Sequence, residues 1–108
     1  MKVYYCHEFV LPLPCGHRFP MDKYRRLYER VRQSNDGPFE LLVPHAAGEN
    51  ELALAHDVVY IERVFHGKLS AQEIRELGFP WSEGLVERSR RSCGATIAAC
   101  REIGRAHV

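Results

Sequence analysis

The chain reads as an α/β protein, rich in helix, with two parallel strands. Three observations predict this. A β-prone opening run is followed by a loop and an amphipathic helix. A second short apolar run, Phe39-Glu40-Leu41-Leu42-Val43, follows that helix. The rest, to the C-terminus, is paced as helices by caps and glycine stops. Two strands joined through a helix pair in parallel, and parallel strands normally belong to wider, covered sheets.

Lys2 to Phe9 is rich in Val, Tyr and Phe and predicts the first strand. Pro12, Pro14 and Gly16 prevent its continuation, so Leu11 to Phe19 is a loop. Pro20 suits a first helical position, and Asp22 complements the positive end of the helix that follows, Met21 to Gln33. Met21, Tyr24, Leu27, Tyr28 and Val31 recur at helical spacing, and Asn35-Asp36-Gly37-Pro38 ends the run. Pro44 stops the second strand. A short helix is expected near Glu49 to Ala55. Asp57 is placed to cap another from Val58 to about His66, and Gly67 closes it. Ser70-Ala71-Gln72-Glu73 is a capping box for a small helix ending at Gly78. Ser82 caps the last and longest helix, about Glu83 to Ile103. Its apolar face is Leu85, Val86, Cys93, Ile97, Cys100 and Ile103, and its small Gly94, Ala95, Ala98 and Ala99 would admit a second backbone.

The 108 residues make one domain, with no repeats or linkers. Lys and Arg number 15 against 14 Asp and Glu, a net charge of +1, which excludes a polybasic nucleic-acid binder. The basic residues Arg25, Arg26 and Arg30 of the first helix read as a solvated face, so no specific nucleic acid is expected as a partner. No apolar run approaches the roughly 18–20 residues of a membrane span, and His7 and Glu8 interrupt what would be a signal peptide's apolar core. No membrane partner and a cytoplasmic location are therefore expected. The four cysteines contain no CxxC pair, and Cys93 and Cys100, two helical turns apart, are too distant to bridge. Both are expected to be small buried residues.

Candidate chemistry is sparse. Cys6, His7, Cys15 and His17 are metal-ligand types, but Cys6 and His7 point to opposite faces of a strand and the spacing matches no common zinc motif. His56-Asp57 could pair a base with an orienting carboxylate, but Asp57 reads more simply as a cap. No HExxH, phosphate loop or paired-carboxylate pattern is present.

Three segments together carry a resemblance. Lys2-Val3-Tyr4-Tyr5 with Gly16-His17-Arg18-Phe19-Pro20-Met21-Asp22-Lys23-Tyr24 resembles the opening of histone deacetylase-like proteins, nearest their bacterial class IV branch. Leu54-Ala55-His56-Asp57-Val58-Val59-Tyr60-Ile61 is similar to that family's HxxxYI helix. Leu77-Gly78-Phe79-Pro80-Trp81-Ser82, then Arg88-Ser89-Arg90-Arg91-Ser92-Cys93-Gly94-Ala95-Thr96, is similar to the segment entering its glycine- and alanine-rich helix. The resemblance implies a fragment of the three-layer, parallel-sheet arginase-deacetylase fold, with residues 1–108 as the N-terminal part of one deacetylase-like domain. It implies a zinc-dependent amidohydrolase that deacylates acyl-lysine or acylated amines. The family's metal ligands, tandem histidines and tyrosine all follow the segment resembled here, and His107 takes none of their roles. The chain is thus expected to hold no catalytic residue, no metal ligand and no cofactor of its own, zinc belonging to the rest of such an enzyme. The one transferable feature is the first loop, whose His17, Arg18, Phe19 and Pro20 would form part of the acyl-lysine tunnel wall. Gly78-Phe79-Pro80-Trp81, where the better-known members place a rim aspartate, has none. A homo-oligomer is expected, because two strands leave edges unpaired and the last helix offers a small-residue face. The alternative is a small self-associating interaction or scaffold module derived from the same fold.

Overall fold

The computed structural model describes residues 1–106, and His107, given no metal role above, lies outside them. In chain order the elements are β1 (Lys2–Tyr4), α1 (Asp22–Gln33), β2 (Glu40–Leu42), α2 (Glu49–Leu52), α3 (Val58–Phe65), α4 (Ala71–Leu77) and α5 (Glu83–Ala106). β1 and β2 pair in parallel, Lys2 opposite Glu40, Val3 opposite Leu41 and Tyr4 opposite Leu42. Tyr5 extends the pairing, its N–H donating to the Leu42 carbonyl at 2.9 Å. Both strands are shorter than expected. β1 gives way to a turn in which the Phe9 N–H reaches the Cys6 carbonyl, and Pro44, with no N–H to donate, follows β2 closely.

The expected three-layer arginase-deacetylase sheet is not what forms. The chain is 51% helical, and its sheet is two strands of three residues each. Three layers need a sheet broad enough to carry helices along both faces, and strands this short leave only β1 to do so. Around β1 the order is local: α1 covers one side through Val3, Tyr5 and His7, which share a cleft with Tyr24, Leu27, Tyr28 and Val31. α5 lies against the other, where the Lys2 ammonium meets Glu102 at 3.1 Å.

The helix boundaries follow local chemistry. The Asp57 carboxylate accepts from Val59 N–H at 2.8 Å and Tyr60 N–H at 3.3 Å and so starts α3. Ser70 and Glu73 form the reciprocal capping box of α4, and Gly78, at φ +83°, ends it in the left-handed conformation that glycine tolerates best. Ser82 Oγ accepts from Leu85 N–H at 3.0 Å at the head of α5. Of the two α5 cysteines expected to be buried, Cys93 is half-buried and Cys100 exposed. All four thiols are free.

The interior is thin. Leu11, Ala47, Ile61 and Leu85 are the buried apolar residues among those described, and Pro44 is the largest fully enclosed side chain. The radius of gyration is 15.8 Å, against about 13 Å for a compact chain near this length. The extents are 46 × 38 × 17 Å, a flat slab. α5 and the loop after β2 approach closely at Gly94. A Cβ at Gly94 would lie 1.8 Å from the His45 carbonyl oxygen. Gly→Ala inside a helix normally gains about 1 kcal/mol. Gly94→Ala is expected instead to lose about 1–3 kcal/mol by forcing the loop outward. Gly104→Ala, with nothing within 4 Å, is expected to be neutral or gain up to about 1 kcal/mol. Urea unfolding midpoints of the two variants check the contrast.

Candidate functional site

Loops leaving the C-terminal ends of parallel strands are where α/β proteins place their sites. Here those loops are Tyr5 to Met21 after β1 and Val43 to Gly48 after β2, and α5 holds both. Arg88 Nη1 donates to the Cys6 carbonyl at 3.0 Å and the Phe9 carbonyl at 3.4 Å, and it approaches Cys6 Sγ at 3.6 Å. Arg90 Nε donates to the Ala47 carbonyl at 2.9 Å, while the Ala47 N–H donates to the Arg90 carbonyl at 2.9 Å. Arg91 Nη1 donates to the Pro44 carbonyl at 2.7 Å and its Nε to Glu87 at 2.8 Å. The same three guanidinium groups lie over the rings of Tyr24, Phe65 and Phe9 respectively, at 4.3, 5.2 and 4.4 Å. Reading the sequence did not assign these arginines a structural role. Their signal was the Arg88-Ser89-Arg90-Arg91 run, with small Gly94 and Ala95 one turn further along the same side of the helix.

Of the four residues expected in a tunnel wall, the structure joins two and leaves two apart. His17 is fixed on both ring nitrogens. Phe19 N–H donates to Nδ1 at 3.1 Å, so Nε2 carries the proton and donates to the Gly78 carbonyl at 3.1 Å. Its ring stacks on Phe79 with centroids 5.5 Å apart, and Phe19 meets Phe79 edge-on at 5.1 Å. The Lys23 ammonium lies 4.7 Å from the Phe19 centroid and 5.0 Å from that of Tyr24. Arg18 and Pro20 are exposed and take no part in this cluster. The loop is thus an aromatic wall, tied to the C-terminus of α4 by one histidine and capped by one ammonium. It holds neither a nucleophile next to a base nor a pair of carboxylates.

Two further clusters flank the strands. Tyr5, His7 and Tyr28 pack their rings together at centroid distances of 4.4–5.3 Å, and His7 Nδ1 is buried there with no hydrogen-bond partner. Burial pushes the Tyr5 phenol above its ordinary value, with neighbouring Glu8 adding to the effect. On the other side, Glu51 accepts from Gly48 N–H at 3.0 Å, faces His45 Nε2 at 3.2 Å and lies 3.5 Å from Arg101. The Gly48 N–H, then His45, hold its carboxyl below the usual range. His56, the other histidine considered as a base, is exposed, and Asp57 beside it is spent on capping α3. Arg25 and Arg26 pair with Asp22, so the basic face of α1 is partly neutralised within the helix.

Among the described residues, no group of three or more His, Cys, Asp and Glu side chains lies together as metal ligands would. No helix among them is long and apolar enough to cross a membrane.

No family model matches the chain. An uncharacterized protein of Picosynechococcus sp. is similar to it, 35% identical over 98 residues. The alignment takes in 88% of this chain but 32% of the relative, so the chain spans about a third of the length of the relative it matches.

Two outcomes follow from this geometry. His17→Ala removes the bond to Gly78 and the acceptor for Phe19 N–H, so trypsin is expected to cut after exposed Arg18 several-fold faster than in the parent chain. Mass spectrometry of a timed digest reads this directly. Glu51 has a folded-state pKa below the ordinary 4.5, so its stabilisation is complete above that value and is lost as pH falls through the depressed one. The Gly48 amide resonance is expected to move on acidification through that window, and Glu51→Gln to abolish the movement.

Proposed function

We propose that this chain is the N-terminal segment of a histone deacetylase-like, zinc-dependent amidohydrolase acting on acyl-lysine or acylated amines, and that it is not catalytic alone. The observation that carries the reading is the ordered set of three resembling segments, Lys2–Tyr24, Leu54–Ile61 and Leu77–Thr96. Two further points support it. The relative from Picosynechococcus sp. is about three times longer than the stretch it shares with this chain. The first-loop residues His17 and Phe19 form a rigid wall and hold no reactive pair, as a lining segment would. In this reading the metal and the proton-transfer groups come from polypeptide beyond the resembling segment, and no step of hydrolysis runs through residues described here. A cytoplasmic setting without nucleic acid is part of the reading, supported by the free thiols and the balanced charge.

A second reading, a self-associating module without hydrolase chemistry, is favoured by one specific observation. Leu54, Val58 and Val59 are 89%, 61% and 66% exposed within six residues of each other.

The test uses the full-length relative and this chain side by side. The relative is expected to retain about one zinc per chain after mild chelation and to deacylate an acetyl-lysine peptide or an acetylated polyamine. This chain alone is expected to do neither. A relative free of zinc and inactive on both substrate classes overturns the hydrolase reading. Stoichiometric zinc on this chain alone returns attention to Cys6, Cys15 and His17.

A further inference from the structure

Residues 69–80, with α4 at their centre, leave the body of the molecule and return to the same point. Gly67, at φ +68°, turns the chain outward at the end of α3 in a left-handed conformation. Trp81 meets it on the way back. A Cβ at Gly67 would lie 3.1 Å from the Trp81 ring, and Trp81 Nε1–H donates to the Val64 carbonyl at 2.7 Å. A surface segment of this length with its ends pinched together has the geometry of an Ω-loop.

Little fastens the segment between those ends. Among the described residues, its backbone–backbone hydrogen bonds stay within it, from Ile74 N–H to the Ser70 carbonyl and from Gly78 N–H to the Ile74 carbonyl. No α4 residue is buried, and only Glu73 and Ile74 are half-buried. Two side-chain hydrogen bonds reach the body. Glu73 pairs with Arg63 of α3, and the Gly78 carbonyl accepts from His17 of the first loop at 3.1 Å, with Phe79 stacked beside it. Leu69 and Leu77 of the segment line an apolar cleft of about 160 Å³, together with Ile61 and Val64 of α3 and Leu85 and Val86 of α5.

We propose that residues 69–80 are a flap, pinned at its base by Trp81, that opens this cleft as a unit and in opening releases His17. Lifting it breaks no backbone bond to the rest of the chain and uncovers no buried α4 side chain. Segments with so few buried contacts are those whose local opening costs least. The base survives the motion, because the Trp81–Val64 bond lies outside the flap. The two latches, Arg63–Glu73 and His17–Gly78, are what the motion breaks. With the flap down, His17 is held on both ring nitrogens. With it up, Nε2–H is free, and the first loop keeps only the bond from Phe19 N–H to Nδ1. The flap and the first loop are thus coupled through one histidine, and the coupling runs both ways. Loosening Arg63–Glu73 on α3 loosens His17, which Arg63 does not touch.

Native-state amide hydrogen exchange read by NMR tests this. Seven helical residues do not keep their bonds alone in water, so α4 amides exchange whenever the flap lifts. Relative to their intrinsic rates, the Ile74 and Gly78 amides are expected to exchange at least about tenfold faster than α5 amides around Gly94. Arg63→Met leaves the α4 capping box and the first loop unaltered. It is expected to speed exchange several-fold at Ile74 and Gly78 and also at Phe19, with α5 unchanged. Glu73→Gln, which keeps a capping partner, replaces it if Arg63→Met loses its far-ultraviolet circular dichroism. Arg26→Ala, which breaks a surface pair on α1, is expected to change none of these rates. Exchange of α4 as slow as that of α5 overturns the flap, as does Arg63→Met without effect on α4. Acceleration at α4 but not at Phe19 overturns the coupling. The same acceleration in Arg26→Ala reduces both to general loss of stability and overturns the proposal.

Discussion

The arrangement depends on the grip of α5 on the two loops that leave the sheet. Arg88, Arg90 and Arg91 aim charged donors at four backbone carbonyls, those of Cys6, Phe9, Ala47 and Pro44. Hydrogen bonds from a charged donor are worth about 1.5–3 kcal/mol each, more than neutral ones. They fall where two short strands have run out of ladder partners and the chain must turn away. Between Arg90 and Ala47 the bonding is reciprocal, side chain to carbonyl and N–H to carbonyl, so the loop docks as an extra backbone segment along the helix. Only glycine at position 94 leaves room for it. Without this grip, three paired residues per strand would be too few to hold β1 beside β2.

That grip also explains how so thin a molecule keeps its order. Few apolar side chains are fully buried, and the slab is 17 Å across its short dimension. Cation–aromatic contacts supply part of what a deeper core would. Arg88 lies on Tyr24, Arg91 on Phe9, and Lys23 on Phe19 and Tyr24, so charged side chains cover ring faces that would otherwise meet water. The Tyr5–His7–Tyr28 stack does the same on the α1 side. There the unpartnered His7 Nδ1 is a cost, of about 1–3 kcal/mol for a buried polar atom.

Much of the local structure was legible because it is set by residues a few positions apart. Asp57 before two valines, Ser70 three residues before Glu73, and Gly78 after a helical run each act through bonds within one turn. The aromatic spacing of α1 was equally plain. What escaped was long-range. Nothing local says that Arg90 will find the carbonyl of Ala47, 43 residues away, or that Arg88 will find that of Cys6, 82 residues away. The three-layer sheet was expected because whole segments resembled a family built that way. The residues described here form two strands, and Pro44 and the turn at Cys6–Phe9 end each within a few residues. In the candidate site, His17 and Phe19 were legible as a pair, but their common partner Phe79 was not, because the α4 loop reaches them only in the fold.

The chemistry of His17 decides what kind of site this loop can be. A general base needs a free lone pair facing a substrate proton. In His17 the Nδ1 lone pair is taken by the Phe19 N–H, and the Nε2 proton is taken by the Gly78 carbonyl. Both ring nitrogens therefore work for the fold, and the ring's remaining surface is a stacked face against Phe79. Such a residue can shape a channel and hold two loops together, but it cannot move a proton without releasing one of them. The same holds across the neighbouring groups: Asp57 caps, Glu51 ties a loop, and Arg88 binds carbonyls. His17, Asp57, Glu51 and Arg88 are thus each engaged with backbone groups. In the deacetylase-like function proposed above, His17 would shape the wall of a channel and leave proton transfer to other groups.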